Sequence, residues 1–155
     1  MARASAPTPV EICHCMAVRQ AARWISQLYD QHLAVCGLTS TQYAVLSHLQ
    51  RAGAASVPQV AESMVMDRTT LTRNLAPLER DGLVQVVPAE GDRRRKVLSL
   101  TPAGTQRLAA ARPQWRRAQA AFERHFGDQE AAAMRTLLRE VPHGRAKRAR
   151  AASAG

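Results

Sequence analysis

Apolar residues recur along most of this chain at steps of three and four, the spacing that places them on one face of an α-helix. From Val10 to Cys36 the positions Ile12, Met16, Ile25, Leu28, Tyr29 and Leu33 follow it, and Gly37 closes the run. Leu38-Thr39-Ser40-Thr41-Gln42 then reads as a new start, Thr39 and Gln42 forming a capping box ahead of Tyr43, Val45, Leu46 and Leu49. That helix stops near Gly53. Ser56-Val57-Pro58-Gln59 is a second capping box, with Pro58 in the first turn where its missing N–H costs nothing. The short helix it opens runs to about Met64.

Asp67 is the N-cap of the next helix, its carboxylate able to accept from the free N–H groups of the first turn. Met66 and Leu71 suit a hydrophobic staple, and Gly82 supplies the permissive residue beyond the C-terminus. At about 100° per residue, Leu71, Leu75 and Leu78 make a narrow buried stripe. Thr69, Arg73, Ala76 and Arg80 lie opposite, Thr70 and Thr72 on the flanks, and Arg68 at the entry. Short hydroxyls and guanidinium groups without a carboxylate are the equipment for phosphates and base edges. A solvated helix face would usually mix both signs.

Past Gly82 the period shortens to that of strands: Leu83–Val87 and Lys96–Leu100 are short and β-branched. Between them, Pro88 to Arg95 reads as a hairpin tip carrying Arg93, Arg94 and Arg95. An arginine there can reach the narrow minor groove, where the negative potential is strongest. Thr101-Pro102 opens a long helix to Phe126 with Leu108, Ala111, Trp115, Ala118 and Phe122 on one stripe, and Pro113 is expected to bend it. Gly127 ends it. Asp128 is read as the cap of a last helix carrying Leu137, Leu138 and Val141, which Pro142 stops.

The expected fold is mainly α with a small β-hairpin: a winged helix-turn-helix domain over 38–101 with helices at 10–37 and 102–141. The small and polar residues 1–9 and the basic tail 142–155 are expected to be disordered. No internal repeat is visible. The outer helices exceed what the winged core can cover, so their stripes point to dimerisation with a second copy of the chain. A two-fold dimer would place two reading helices at half-sites about one DNA turn, roughly 34 Å, apart.

Length and charge narrow the picture. A chain of 155 residues fits one domain with a real core, and aromatics at 4% leave that core aliphatic and alanine-rich, which favours helices. The formal net charge of +10 is the electrostatic footprint of a nucleic-acid binder, with a merely soluble basic protein or an anionic-membrane binder as the alternatives. No apolar run approaches the roughly 18 residues of a spanning helix, and Met1–Pro9 does not read as a signal peptide. Three cysteines do not make a secreted disulfide framework, so a cytoplasmic protein with reduced thiols is expected. An enzyme is disfavoured: the five histidines show no metal spacing, and neither a nucleophile elbow nor a phosphate-binding glycine loop is present. No cofactor is implied.

Three segments together resemble the MarR (multiple antibiotic resistance regulator) family over roughly residues 12–141. They are Leu38-Thr39-x-x-Gln42-x-x-Val45-Leu46-x-x-Leu49; Asp67 to Leu75 leading to Leu78-Glu79-Arg80-x-Gly82-Leu83-Val84; and Asp92-x-Arg94 leading to Leu98-Ser99-Leu100-Thr101-x-x-Gly104. The resemblance implies a homodimeric winged helix-turn-helix transcriptional regulator, usually a repressor released by a small ligand or by cysteine oxidation. It implies that Arg68, Thr69, Thr70, Thr72, Arg73 and Asn74 approach the major groove or its flanking phosphates. Asp92 and Arg94 would be the wing pair, Asp92 positioning and Arg94 inserting. Two departures stand out. Val65 occupies a turn position where the family often has Gly, and Pro77 interrupts the reading helix, which narrows base contact to Arg68 through Asn74.

The same resemblance places an effector pocket where the dimerisation helices meet the winged domain. Trp24, Tyr29, His32, Tyr43 and Trp115 are candidates for lining it, with core packing as the alternative. Arg19 or Arg23 could hold the carboxylate of a phenolic or other aromatic acid. Cys13-His14-Cys15 is the most unusual local feature. Residues two apart on a helix point about 200° from each other, so these thiols cannot easily pair while the helix is intact. Cys36 is 23 residues beyond Cys13, roughly 35 Å along a straight helix. Small interface fillers, redox sensors near a helix N-terminus and Arg19, and a soft-metal site of Cys13 and Cys15 with His14 or Met16 all remain open. A non-specific architectural DNA binder is the other competing function.

Overall fold

The computed structural model describes residues 13–143, with only the backbone of residues 93, 94 and 143. The expectations for residues 1–9, for Val10 and Ile12, and for the tail beyond His143 lie outside the described residues. The elements are α1 (His14–Leu33, continued by a 3-10 turn Ala34–Cys36), α2 (Ser40–Ala52), β1 (Ala54–Ala55), α3 (Val57–Ser63), α4 (Arg68–Arg80), β2 (Val84–Ala89), β3 (Asp92–Leu100), α5 (Pro102–Phe126) and α6 (Asp128–Glu140), followed by a 3-10 turn Val141–His143.

The helix starts follow the caps. Thr39 and Ser56 each form a full capping box, with Gln42 and Gln59 returning the bond to the cap backbone. Thr101 caps α5 by accepting from the Gly104 N–H at 3.0 Å. The end of α4 is a Schellman turn: the Gly82 N–H donates to the Glu79 carbonyl and the Leu83 N–H to the Leu78 carbonyl, with Gly82 at φ 67°. Both internal prolines, Pro77 and Pro113, sit within unbroken helices.

One start differs from expectation. Asp128 is the first helical residue of α6, and Gly127, at φ 100°, is at once the C-cap of α5 and the N-cap of α6. With no linker between the helices the capping position falls to the only residue that takes this backbone without strain. Asp128 and Glu130 act instead through the first-turn charge.

The sheet has the order β1-β3-β2, all antiparallel. Strand β1, two alanines paired with Leu98 and Ser99, was not expected from the pattern of residues. The hairpin is longer and tighter than expected, turning at Glu90-Gly91 with Gly91 at φ 81°. Its arginines belong to β3 and not to the turn. Pro88 stands opposite Lys96 and Ala89 opposite Asp92, so Arg93, Arg94 and Arg95 have no residue facing them on β2. Pro88 lacks the N–H that would continue the ladder, and the surplus leaves as a bulge on the opposing strand.

The core is aliphatic. Leu33, Leu46, Leu49, Leu71, Leu78, Leu98 and Leu108 are fully buried, and no polar side chain is buried among the described residues. The start of α5 is clamped to the start of β2: Thr101 Oγ1 donates to the Gly82 carbonyl at 2.6 Å, and the Thr101 N–H to the Leu83 carbonyl at 3.1 Å. A Cβ on Gly104 would lie 2.0 Å from the Leu83 carbonyl oxygen. This close approach explains why Thr101-x-x-Gly104 carries a glycine.

Candidate nucleic-acid interface and effector cavity

A β-branched residue in a left-handed turn leads into the candidate reading helix. Val65 lies at φ 53°, the one non-glycine with positive φ among the described residues, and its side chain is exposed. The turn is held by the Met64 N–H to the Val60 carbonyl, Val65 to Glu62 and Met66 to Ala61. It stores roughly 1–2 kcal/mol of Cβ–carbonyl strain that a glycine would not have.

From this turn Asp67 opens α4. Its Oδ1 accepts from the Thr70 N–H at 2.8 Å and its Oδ2 from Thr70 Oγ1 at 2.6 Å. Those bonds hold the carboxyl below its ordinary pKa, the Thr70 hydroxyl contributing most. Leu71, Leu75 and Leu78 point into the core, as their spacing requires. Arg68, Thr69, Thr70, Thr72, Arg73, Ala76 and Arg80 are exposed, and Asn74 is half-buried. Over the first two turns past the cap no carboxylate interrupts this surface. Arg80, one turn later, is paired with Asp81, Nε to Oδ1 at 3.1 Å.

The hairpin stands beside α4 in the chain, joined to it through the Schellman turn. Asp92 opens β3 and Arg95 is exposed. The side chains of Arg93 and Arg94 lie outside the described residues.

The effector candidates divide. Tyr29, Tyr43 and Trp115 line one cavity of about 650 Å³ between α1, α2, α5 and α6. Tyr43 and Trp115 stack there with ring centroids 6.1 Å apart and planes 10° from parallel. Burial raises the Tyr29 pKa, with Glu123 adding to the effect. Trp24 is elsewhere, stacked on His125 at 4.7 Å and tilted against Phe122. Arg19 and Arg23 are exposed on α1, His32 is half-buried, and none of the three lines this cavity. The guanidinium groups that do line it are Arg51, Arg112 and Arg139. Arg112 Nη2 donates to Gln50 Oε1 at 2.6 Å. Helical phase alone could have placed Arg112 three residues before Trp115 on one face; Arg51 and Arg139 required the tertiary arrangement.

Cys13 and Cys15 are exposed, Cys13 at the N-cap of α1, and Cys36 is half-buried with Sγ 3.7 Å from the Ala110 carbonyl. Among the described residues no three His, Cys, Asp or Glu side chains gather into a metal-holding group, and no helix is long and apolar enough to cross a membrane.

Known proteins give this geometry a context. The activatory protein BadR of Rhodopseudomonas palustris is 42% identical over 71 residues, 44% of this chain, which spans less than half (41%) of BadR's own length. The transcriptional regulator HosA of Escherichia coli is 38% identical over 106 residues, 63% of this chain and 77% of HosA. Among solved structures, the transcriptional regulator MOSR of M. tuberculosis in complex with DNA superposes with a TM-score of 0.71 at 35% identity, covering 86% of this chain and 98% of MOSR. The MarR family model matches residues 37–95, from Gly37 through α4 to the hairpin arginines. With the winged helix-turn-helix in place and these relatives beside it, the chain belongs to the MarR family of transcriptional regulators.

Proposed function

We propose that this regulator binds DNA sequence-specifically as a homodimer, on a pseudo-palindromic operator, with α4 in the major groove and the hairpin arginines at the flanking minor groove. The observation that carries this reading is the exposed, carboxylate-free surface of α4 from Arg68 to Arg73, opposite a buried leucine stripe. The DNA-bound state of MOSR supports it by analogy. Homodimerisation is supported by the apolar residues that one copy leaves uncovered, Val18 and Trp24 on α1 and Leu137 and Leu138 on α6.

Repression relieved by a ligand is the regulatory reading, and the cavity beside Tyr29, Tyr43 and Trp115 is its site. Stacked aromatic plates and three guanidinium groups match an aromatic acid. On this reading Arg112, which lines the cavity, is the guanidinium that would hold the carboxylate, a part Arg19 or Arg23 could have played by family resemblance. The exposed Cys13 and Cys15 support a redox input as the second route; it is tested by diamide, which should form a cysteine-dependent covalent dimer on a non-reducing gel.

The deciding experiment for function is selection from a random duplex pool, followed by footprinting at fixed salt. Enrichment and protection of a pseudo-palindrome supports the operator reading. Uniform coverage, with equally steep salt slopes on selected and random DNA, would make the protein an architectural binder. Arg94→Ala should weaken binding chiefly at A/T-rich flanks.

A further inference from the structure

We infer that base reading by α4 is concentrated on Arg73 and Thr69, with the Arg73 guanidinium directed at the O6/N7 edge of a guanine, while Thr70, Thr72 and Asn74 shape the helix. This rests on the operator reading above and assigns work within it.

The polar side chains of α4 divide by where their hydrogens go. Thr70 Oγ1 donates to Asp67 Oδ2 at 2.6 Å, and Thr72 Oγ1 donates to the Arg68 carbonyl at 2.8 Å. A hydroxyl has one proton, so neither threonine has a donor left for a base. Asn74 Nδ2 donates to the Thr70 carbonyl at 2.8 Å, which ties the carboxamide back along its own helix beside the leucine stripe. Arg80 Nε is engaged by Asp81. Among the described residues the side chains of Arg68, Thr69 and Arg73 make no such bond.

Position separates these three. At about 100° per residue Thr69 and Arg73 fall within about 40° of each other, opposite Leu71, Leu75 and Leu78. Arg68 falls toward the flank of the buried stripe, where a helix seated in the groove meets the backbone phosphates. Arg73 is therefore the long donor at the centre of the outward face, with a five-donor fork that matches the two acceptors of guanine. Thr69 sits one turn earlier, about 6 Å along the axis, or roughly two base steps from the Arg73 contact.

The test uses the full chain and the operator recovered by selection, with each guanine replaced in turn by 7-deazaguanine, which removes N7 and keeps the base pair. Wild type should lose about tenfold in affinity at one guanine per half-site, the scale of a bidentate pair. Arg73→Ala should bind more weakly and lose that sensitivity at that guanine alone. Arg73→Lys keeps the charge but not the fork, so it should retain the salt slope and lose the guanine sensitivity. Its circular dichroism and melting curve establish that it folds. Thr72→Val should select the same sequence as wild type. A selected operator with no sensitive guanine, unchanged sensitivity in both Arg73 variants, or an altered sequence from Thr72→Val overturns the assignment alone. Failure to select any sequence overturns the operator reading as well.

Discussion

The winged domain and the outer helices solve the same problem, burying an amphipathic stripe, with different outcomes. In the domain α2 buries Val45, Leu46 and Leu49, and α4 buries Leu71, Leu75 and Leu78. Over the 20 residues of α1 the one buried residue is Leu33, and over the 13 of α6 it is Ala131. Val18 remains 51% exposed and Leu137 55%, in stripes as regular as those of the core. Three- and four-residue spacing thus specifies a helix and its apolar side without specifying whether the covering surface lies in the same chain. The difference locates the two tasks: α2 and α4 close one core with Leu33 of α1 and Leu108 and Ala111 of α5, and in the proposed dimer the uncovered faces of α1 and α6 would set where a second α4 stands.

The contrast can be broken most strongly in the core. Leu46→Ala should cost about 3–4 kcal/mol in urea unfolding, a full side chain lost from a site that cannot collapse. Gly104→Ala, with its new Cβ driven into the Leu83 carbonyl, should cost about 3 kcal/mol. Leu137→Ala should change the intrinsic stability of one copy by less than about 0.5 kcal/mol, as a surface position does. If it costs as much as Leu46→Ala at high dilution, α6 is part of the self-sufficient unit and the contrast fails.

Next in size is an interface effect. Leu138→Glu should weaken self-association by at least about a hundredfold, because it would put a charge into a covered apolar patch. Sedimentation should show monomers with unchanged helical content. An unaffected association constant would remove α6 from the dimer surface.

A gain is expected at the turn. Val65→Gly relieves the left-handed strain at φ 53° and loses little packing, since Val65 is mostly exposed. It should stabilise the domain by up to about 1 kcal/mol after the added freedom of the unfolded chain is counted. A lower melting temperature would mean that the Val65 side chain holds more than it strains.

The smallest effect concerns pH. The Asp67 carboxyl is held below its ordinary value in the folded chain, so its cap is fully present above the unfolded pKa near 3.8 and is lost as pH falls through the lower folded value. Stability lost between pH 5 and pH 2 should be smaller in Asp67→Asn, which caps without titrating.

Much of the fold was legible because its boundaries are written in local chemistry. Thr39 with Gln42, Ser56 with Gln59, Asp67, Thr101 and Gly82 satisfy backbone groups within a few residues of themselves, so the neighbouring sequence determines them. What escaped depends on distant partners. Ala54-Ala55 is a strand because β3 offers it a free edge. Arg93 to Arg95 moved from the turn into β3, where the register shifts between Pro88 and Ala89 and leaves them without a facing residue. The buried stripe and the exposed polar face of α4 were legible from helical phase, but the hydrogen bonds that tie Thr70, Thr72 and Asn74 back into the helix were not. Of the residues proposed to line the cavity, Tyr29, Tyr43 and Trp115 do so, while Arg19 and Arg23 are exposed on α1 and Arg112 of α5 lines it, an arrangement set by tertiary packing.

The measurement that bears most directly on the account compares, at one salt concentration, affinity for the selected pseudo-palindrome and for the same duplex with one half-site scrambled. Two copies of α4, each reading a half-site, predict a loss of at least about a hundredfold on scrambling, in line with the gap between specific and non-specific binding. Arg73→Ala should shrink that ratio toward one. Equal affinity of the wild-type protein for both duplexes and for random DNA would contradict the account.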